Sequence, residues 1–308
     1  MTTIKGPLTA VTVQTVLYRH EPDQVCRMLR SIANSVRVAR QYGQVGSVVV
    51  NIGDCSPERT FSSEQVALLA AEVETCGVAS VAYDYFGTNL GSAAGHNRLL
   101  LVNSSPFVLI VNPDTYASPF LLMELGAAQH DPRVGIAEAR QIPLEHPKAY
   151  DHHSGETSWA STACCLVRTE VFEKIGGFDS DSFFLYCDDV DFSWRTRLAG
   201  YRVVLRPTAL LFHDKRLGLD AIVESGPAEV YYSAEAALML AWKYSRPDLV
   251  EEWSEHFRAS PIEPWVEAAE RFDSRRVEGS LPEPIDPLGT VAEFVGMAFA
   301  QHRYSYSD

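Results

Sequence analysis

No C-x-x-C pair occurs among the six cysteines of this 308-residue chain (Cys26, Cys55, Cys76, Cys164, Cys165, Cys187), which excludes a disulfide framework and a cysteine-based structural zinc site. The cysteines read instead as small buried hydrophobes. His152 and His153 with Cys164 and Cys165 form a tempting ligand set, but neighbours on a strand point to opposite faces, so zinc is not expected there. Positive charge is scarce as well: 26 Lys and Arg against 40 Asp and Glu give a net charge of −14 and a pI near 5.1. Such a surface repels nucleic acid and anionic membranes, so neither is expected as a bulk partner, although a local basic pocket is compatible with it. No apolar run approaches the roughly 18 residues of a spanning helix, and residues 1–6 lack a signal-peptide core. A cytoplasmic protein is expected, with any membrane contact peripheral. What remains is an ordinary globular composition, 46% hydrophobic and 21% charged with mean hydropathy −0.08, enough for one large α/β domain or two small ones.

Along the first half, short β-branched runs alternate with longer helical patterns, the signature of strands joined by crossover helices and hence of a mainly parallel sheet. Strands are predicted at 11–18, 47–52, 79–83 and 107–111, and helices at 23–42, 63–75 and 92–102. Ser118 followed by Pro119 predicts an N-cap and a first helical position. Residues 141–159 carry Pro143, Pro147, three histidines and Gly155 without periodicity, and read as a long excursion of the kind that is usually functional. A strand at 160–167, a short helix ending at Ile175, a Gly176-Gly177 break, a helix at 189–199 and a strand at 201–205 follow. Beyond residue 229 the pattern turns helical, with candidates at 231–242, 248–256 and, after a proline-rich link at 281–287, at 291–302. The helical tail is open to three uses: packing on the main part, building a homodimer, or touching an acceptor's carrier.

Three clusters and one histidine stand out as chemistry. The strand at 107–111 runs into Asn112-Pro113-Asp114, and Pro113 ends the strand because it lacks an amide donor. That places Asp114 at the carboxyl edge of the sheet, where open α/β folds bind ligands. With Ser118 at the natural cap position, Asp114 is not needed as a helix cap. The run Asp188-Asp189-Val190-Asp191 puts three acids at a helix start. A structural account uses Asp188 as N-cap and pairs Asp191 with Arg195 at i,i+4, which leaves Asp189 over. The helix dipole favours negative charge there, so these carboxylates are expected to stay ionised at neutral pH. One of them could take a proton from a hydroxyl, an effect worth about 100- to 10,000-fold. Thr88-Asn89-Leu90-Gly91-Ser92-Ala93-Ala94-Gly95-His96-Asn97 is a small-residue helix start, suited to close approach of phosphate oxygens and equally to close helix packing. His213 ends the apolar run 209–212.

Taken in order, Asn89-Leu90-Gly91 with Gly95 and Asn97, Asn112-Pro113-Asp114, Gly176-Gly177-Phe178-Asp179 leading into Phe184 to Phe192, and His213 closely resemble family 2 glycosyltransferases. The nearest likeness is to the rhamnosyltransferase- and galactofuranosyltransferase-like branch, over residues 11–213. The resemblance implies a GT-A fold: a nucleotide-diphospho-sugar transferase domain at 1–213, donor-binding to about 115 and acceptor-binding from about 116, with a helical extension at 214–308. It implies transfer, with inversion, from a nucleotide-diphosphate sugar to a hydroxyl of a glycan, lipid-linked or small-molecule acceptor. Asp114 then corresponds to the acid of the family's D-x-D-like motif, which binds Mn²⁺ or Mg²⁺ on the donor's diphosphate. Asp189 corresponds to the general base, with Asp188 in place of the family's glutamate, and His213 to a histidine that joins the metal. Asn89, Gly91, Asn97 and Asn112 fall to the donor, and Tyr18 keeps the tyrosine that stacks on the nucleotide base. The chain departs from the family's Asp-Asn-x-Ser stretch: Asn51 occupies the aspartate's place, leaving Asp54 as its substitute. Trp159, the 141–158 loop and Asp191 are expected on the acceptor side. The chemistry is coherent, since a hard cation held by one carboxylate and phosphates is a usual arrangement and a histidine tilts it towards Mn²⁺.

The main rival is a catalytically silent nucleotide- or sugar-binding module on the same fold, against which Asp114, Asp188 and Asp189 argue. A nucleotidyltransferase would need a basic, glycine-rich phosphate loop near the first strand, which Tyr18-Arg19-His20-Glu21-Pro22 does not supply. A retaining mechanism on the same fold is a narrower alternative.

Overall fold

The structure is a computed structural model that describes residues 7–144, 147–214 and 226–296. Its centre is one sheet in the order β3-β2-β1-β4-β7-β6-β8-β5. The strands are β1 (Leu8–Leu17), β2 (Val45–Asp54), β3 (Ser80–Tyr85), β4 (Phe107–Val111), β5 (Thr115–Ala117), β6 (Val134–Ile142), β7 (Cys164–Arg168) and β8 (Arg202–His213). Helices α1 (Pro22–Gln41), α2 (Ser63–Glu74), α3 (Gly91–Leu100), α4 (Leu121–Ala128), α5 (Thr169–Ile175) and α6 (Asp188–Leu198) connect them, and α7 (Pro227–Lys243), α8 (Pro247–Arg258) and α9 (Glu263–Glu278) follow. None of the described helices is long and apolar enough to cross a membrane.

The inner strands are near-continuous apolar runs because helices cover both faces of the sheet. Val11, Val13 and Leu17 of β1 and Val48, Val50 and Ile52 of β2 are all buried. Helix α1 lays Val25, Met28, Leu29, Ile32 and Val36 against them at the i, i+3, i+4 spacing of an amphipathic helix, with proline in its first turn. Each such side chain contributes about 1.5–3 kcal/mol by leaving water.

Strand direction decides where the site forms. β2 and β4 pair parallel to β1, and β3 parallel to β2. β7 runs antiparallel to β4 and to β6, and β8 runs parallel to β6. Six of the eight strands therefore point one way, only β5 and β7 opposing them. The carboxyl ends Leu17, Asp54, Val111, Ile142 and His213 share one edge.

Several local readings change. β6 has no counterpart in the predicted elements. β8 is one strand, although 201–205 and 209–212 read as separate pieces; the ladder to β6 breaks register between Ala139 and Arg140, and Pro207, with no amide to donate, falls in that irregularity. Ser118 does not cap a helix: its N–H donates to the Leu210 carbonyl (3.0 Å) beyond the short β5, and α4 begins only at Leu121. Asp114 thus precedes a strand. β7 starts at Cys164, leaving 159–163 as a connecting strap. Residues 291–296 of the predicted last helix are not helical and the rest of it lies outside the described residues, whereas α9 was not anticipated.

The C-terminal helices share a core with α6. Trp253, Phe257, Phe272 and Tyr244 pack in one cluster with Trp159, Phe183, Val190 and Trp194. At its centre is Asp191, which is fully buried rather than facing an acceptor. Arg195 Nε (2.7 Å) and Lys243 Nζ (2.7 Å) pair with its carboxylate, and the Tyr244 hydroxyl donates to it (3.2 Å). Removing the acid leaves the part-buried Arg195 without a carboxylate and Lys243 with Asp179 alone, so Asp191→Ala is expected to cost about 3–5 kcal/mol in urea unfolding. A loss under about 1 kcal/mol would assign the pair no structural weight.

Candidate active site

At the end of β4 the Asn112 N–H donates to the Ala163 carbonyl (2.9 Å), and the Asn112 carbonyl accepts from the Thr115 hydroxyl (2.7 Å). β5 pairs antiparallel with β8, setting Thr115 opposite His213. Asp114 and His213, 99 positions apart, are thereby brought to 3.2 Å between Oδ1 and Nε2. His213 Nδ1 faces Gln141 Oε1 at 2.9 Å. With Nδ1 turned to Gln141, Nε2 faces the Asp114 carboxylate, and an oxygen–nitrogen donor pair of this kind fits a divalent ion.

His20 completes this corner from the end of β1, a residue the sequence reading passed over. Its Nδ1 accepts from the Tyr18 N–H (3.1 Å). Burial lowers its pKa, while Asp114 and Asp54 pull in the opposite direction.

Two successive non-glycine residues, Tyr186 (φ 63°) and Cys187 (φ 53°), are left-handed immediately before α6. Each such conformation costs about 1–2 kcal/mol, and strain of this kind gathers at functional sites. It places Asp188 and Asp189 at the first positions of the helix, with Cys187 rather than Asp188 at the N-cap. The Ser92 hydroxyl hydrogen-bonds Asp188, whose Oδ2 is buried without a partner among the described residues. Asp189 accepts from the Val190 N–H (2.8 Å) and from the backbone of Thr162. Burial pushes both carboxyls well above the usual range; repulsion from Asp188 adds to the rise at Asp189, and Lys148 opposes it. Against the expectation that the helix dipole favours the ionised forms, burial shifts both acids towards the protonated form, most strongly Asp189. Desolvation outweighs a dipole effect of about 0.3–1 kcal/mol, and the two acids titrate as a pair.

Asn89 Oδ1 accepts from the Gly91 N–H (3.2 Å), shaping the start of α3. Gly91 is left-handed (φ 74°), and a Cβ there would run into the Phe184 carbonyl oxygen. Asn97 is not turned to a donor: it brackets Phe178, donating to its carbonyl and accepting from its N–H (both 2.8 Å). Tyr18 is 40% exposed beside the edge, with Arg19 over its ring at 5.3 Å. Asn51 is buried inside β2, opposite Gln14 and Ala82, three residues short of the edge. Asp54 reaches the edge, but its carboxylate is taken by the N–H groups of Ser56 (2.9 Å) and Thr60 (2.8 Å) and by the Tyr83 hydroxyl. Burial works to raise its pKa, and these hydrogen bonds outweigh it and hold it low. Neither residue presents a free carboxylate to a nucleotide base. Trp159, just after the 141–158 loop, is 2% exposed and covered by Lys148, and it walls a cavity of about 120 Å³ with Arg140, Gln141, Lys148 and Tyr150.

Raised carboxyl pKa values carry a sign for stability. The folded state holds protons that the unfolded chain releases near pH 3.8, so the pair's contribution is fully present below about pH 4 and is lost as pH rises through the folded values. Asp189→Asn cannot ionise. It is expected to gain stability relative to the parent between pH 5 and pH 8 in urea unfolding; a pH-independent difference would contradict the desolvated pair.

No family model matches the chain. Over 57 residues it is 42% identical to N-acetylglucosaminyl-diphospho-decaprenol L-rhamnosyltransferase of Mycobacterium tuberculosis (strain H37Rv), a stretch covering 18% of each chain. Over 67 residues it is 33% identical to rhamnosyltransferase WbbL of Escherichia coli K12, covering 22% of this chain and 25% of that one. These matches span a quarter or less of the relatives' length. Among solved structures, a Pyrobaculum calidifontis mannosyltransferase in complex with GDP-Man and Mn²⁺ superposes with TM-score 0.54 at 17% identity, over 88% of this chain and 70% of the other. GalNAc-T7 with UDP, GalNAc and Mn²⁺ superposes with TM-score 0.60 at 12% identity, over 92% and 57%. The chain has the GT-A glycosyltransferase fold, and in sequence it resembles family 2 glycosyltransferases of the rhamnosyltransferase-like branch.

Proposed function

We propose that the chain is an inverting, metal-assisted glycosyltransferase that moves a sugar from a nucleotide-diphosphate donor to an acceptor hydroxyl, with Asp189 as general base. The observation that carries this reading is the strap at 159–163. Its Ala163 carbonyl holds the Asn112 N–H of the Asp114 turn, and its Thr162 backbone holds the Asp189 carboxylate. The candidate metal corner and the candidate base are thus fastened to the same five residues.

Asp114 and His213 would hold the cation. No cluster of three or more His, Cys, Asp or Glu side chains suited to a metal occurs among the described residues, so diphosphate oxygens and water would complete the ligand set. When bound, the cation neutralises charge developing on the departing diphosphate. Tyr18 lies at the edge where a nucleotide base can stack. Asp189 accepts the acceptor's hydroxyl proton as that oxygen attacks the anomeric carbon from the face opposite the leaving group. Its raised pKa brings it closer to the operating pH, where general-base catalysis is most effective. The two rhamnosyltransferase relatives make a deoxyhexosyl donor the first to test.

Calorimetric titration with UDP, dTDP and GDP, with and without Mn²⁺, is expected to find one nucleotide whose binding needs the metal, and Asp114→Ala to abolish that dependence. Asp189→Asn is expected to keep nucleotide binding and lose about 100- to 10,000-fold in turnover. Full turnover in that variant removes Asp189 as the base, and absence of any nucleotide binding turns the reading to a silent module. Because Asp189 must be ionised to act, kcat is expected to rise with pH, with a midpoint above the ordinary carboxylate range.

A further inference from the structure

Lys148 belongs to neither acidic cluster in sequence, yet it is buried beside them with Glu138 of β6, their side chains 9% and 3% exposed. Its ammonium makes three hydrogen bonds, two to the Glu138 carboxylate (2.8 and 3.0 Å) and one to the Trp159 carbonyl (3.0 Å), and stands 3.5 Å from the centroid of the Trp159 ring. Desolvating both ions offsets most of the Coulomb gain, so stability alone is a weak reason for such a pair.

The chain path offers a stronger one. Trp159 opens the strap. The Ala160 N–H donates to Ser193 Oγ (3.0 Å), and the Ser193 hydroxyl donates to the Asp189 carbonyl (2.7 Å). Thr162 then bonds the Asp189 carboxylate, and Ala163 the Asp114 turn.

We infer that Lys148, clamped by Glu138, is a positioning residue for the base: it anchors the strap that holds Asp189 beside the Asn112–Asp114 turn and sets a fixed positive charge near that carboxylate. This rests on the reading of Asp189 as the base. The titratable groups around Asp189 are Asp188 and Cys187 at the start of α6, Cys165 of β7 and Lys148. Burial raises both thiols far above neutrality and so keeps them uncharged; of the four groups Lys148 alone carries positive charge. Glu138 stands against the ammonium and damps its field. Removing Lys148 and removing the Glu138 charge must therefore act on Asp189 in opposite directions, whereas a merely structural pair would respond alike to either loss.

The test is a carbon-13 NMR titration of the full chain labelled at aspartate carboxyls, with Asp189 assigned through Asp189→Asn, together with kcat against pH. Circular dichroism serves as the control for folding. Lys148→Met is expected to move the Asp189 midpoint up, Glu138→Gln to move it down, and Lys148→Arg to restore it. Each unit upward lowers the ionised base, and kcat on the rising limb, about tenfold. Midpoints that stay in place, or move the same way in the Met and Gln variants, overturn the inference. A carboxyl that shifts as expected while the kcat limb stays still supports the role of Lys148 and counts against Asp189 as the base.

Discussion

Two carboxylates side by side in a desolvated helix start repel each other, and much of the molecule around α6 serves to hold them there. The approach through Tyr186 and Cys187 is strained, the Asp188 Oδ2 has no partner among the described residues, and both acids have raised pKa values. Each feature opposes folding. Compensation comes from nearby: Asp191, one turn on, joins Arg195 and Lys243 and so fixes α6 to α7. Trp194 is sealed under Tyr244 at 4.7 Å. The C-terminal helices thus help keep an unfavourable charge pair in place.

The second constraint is strand direction. Six strands sharing one polarity bring Tyr18, Asp114, the strap and His213 to one edge, although they are far apart along the chain. The antiparallel pairing of β5 with β8 then makes neighbours of Asp114 and His213. The inverting transfer proposed here would need the leaving diphosphate and the acceptor hydroxyl on opposite sides of one carbon, and this edge supplies two anchored corners joined by a single strap.

Much of this was legible in sequence. Strands β1 to β4, their crossover helices and the placement of Asp114 follow from apolar runs and punctuating proline, which are local signals. β6 has no sequence counterpart because the last part of Val134–Ile142 is polar, and the partners of Glu138 and Gln141, Lys148 and His213, come from elsewhere in the chain. The same holds for the site. Asp188 and Asp189 were visible as acids, but their desolvation depends on what packs over them. Asn97, Asp191 and Asp54 read as ligand contacts because a polar residue near a motif gives no sign of being satisfied internally. Lys148 and His20 lay in stretches without a motif, and only the fold brings them to the acids.

In the proposed reaction Asp189 removes a proton during a single displacement at the anomeric carbon. With a donor in hand, the most direct measurement is the product formed by Asp189→Ala in the presence of azide, an anionic nucleophile that needs no base. Almost no transfer to the hydroxyl acceptor is expected, together with azide-dependent turnover to a glycosyl azide of inverted configuration by NMR. Absence of rescue with donor binding intact, or a product of retained configuration, would contradict it.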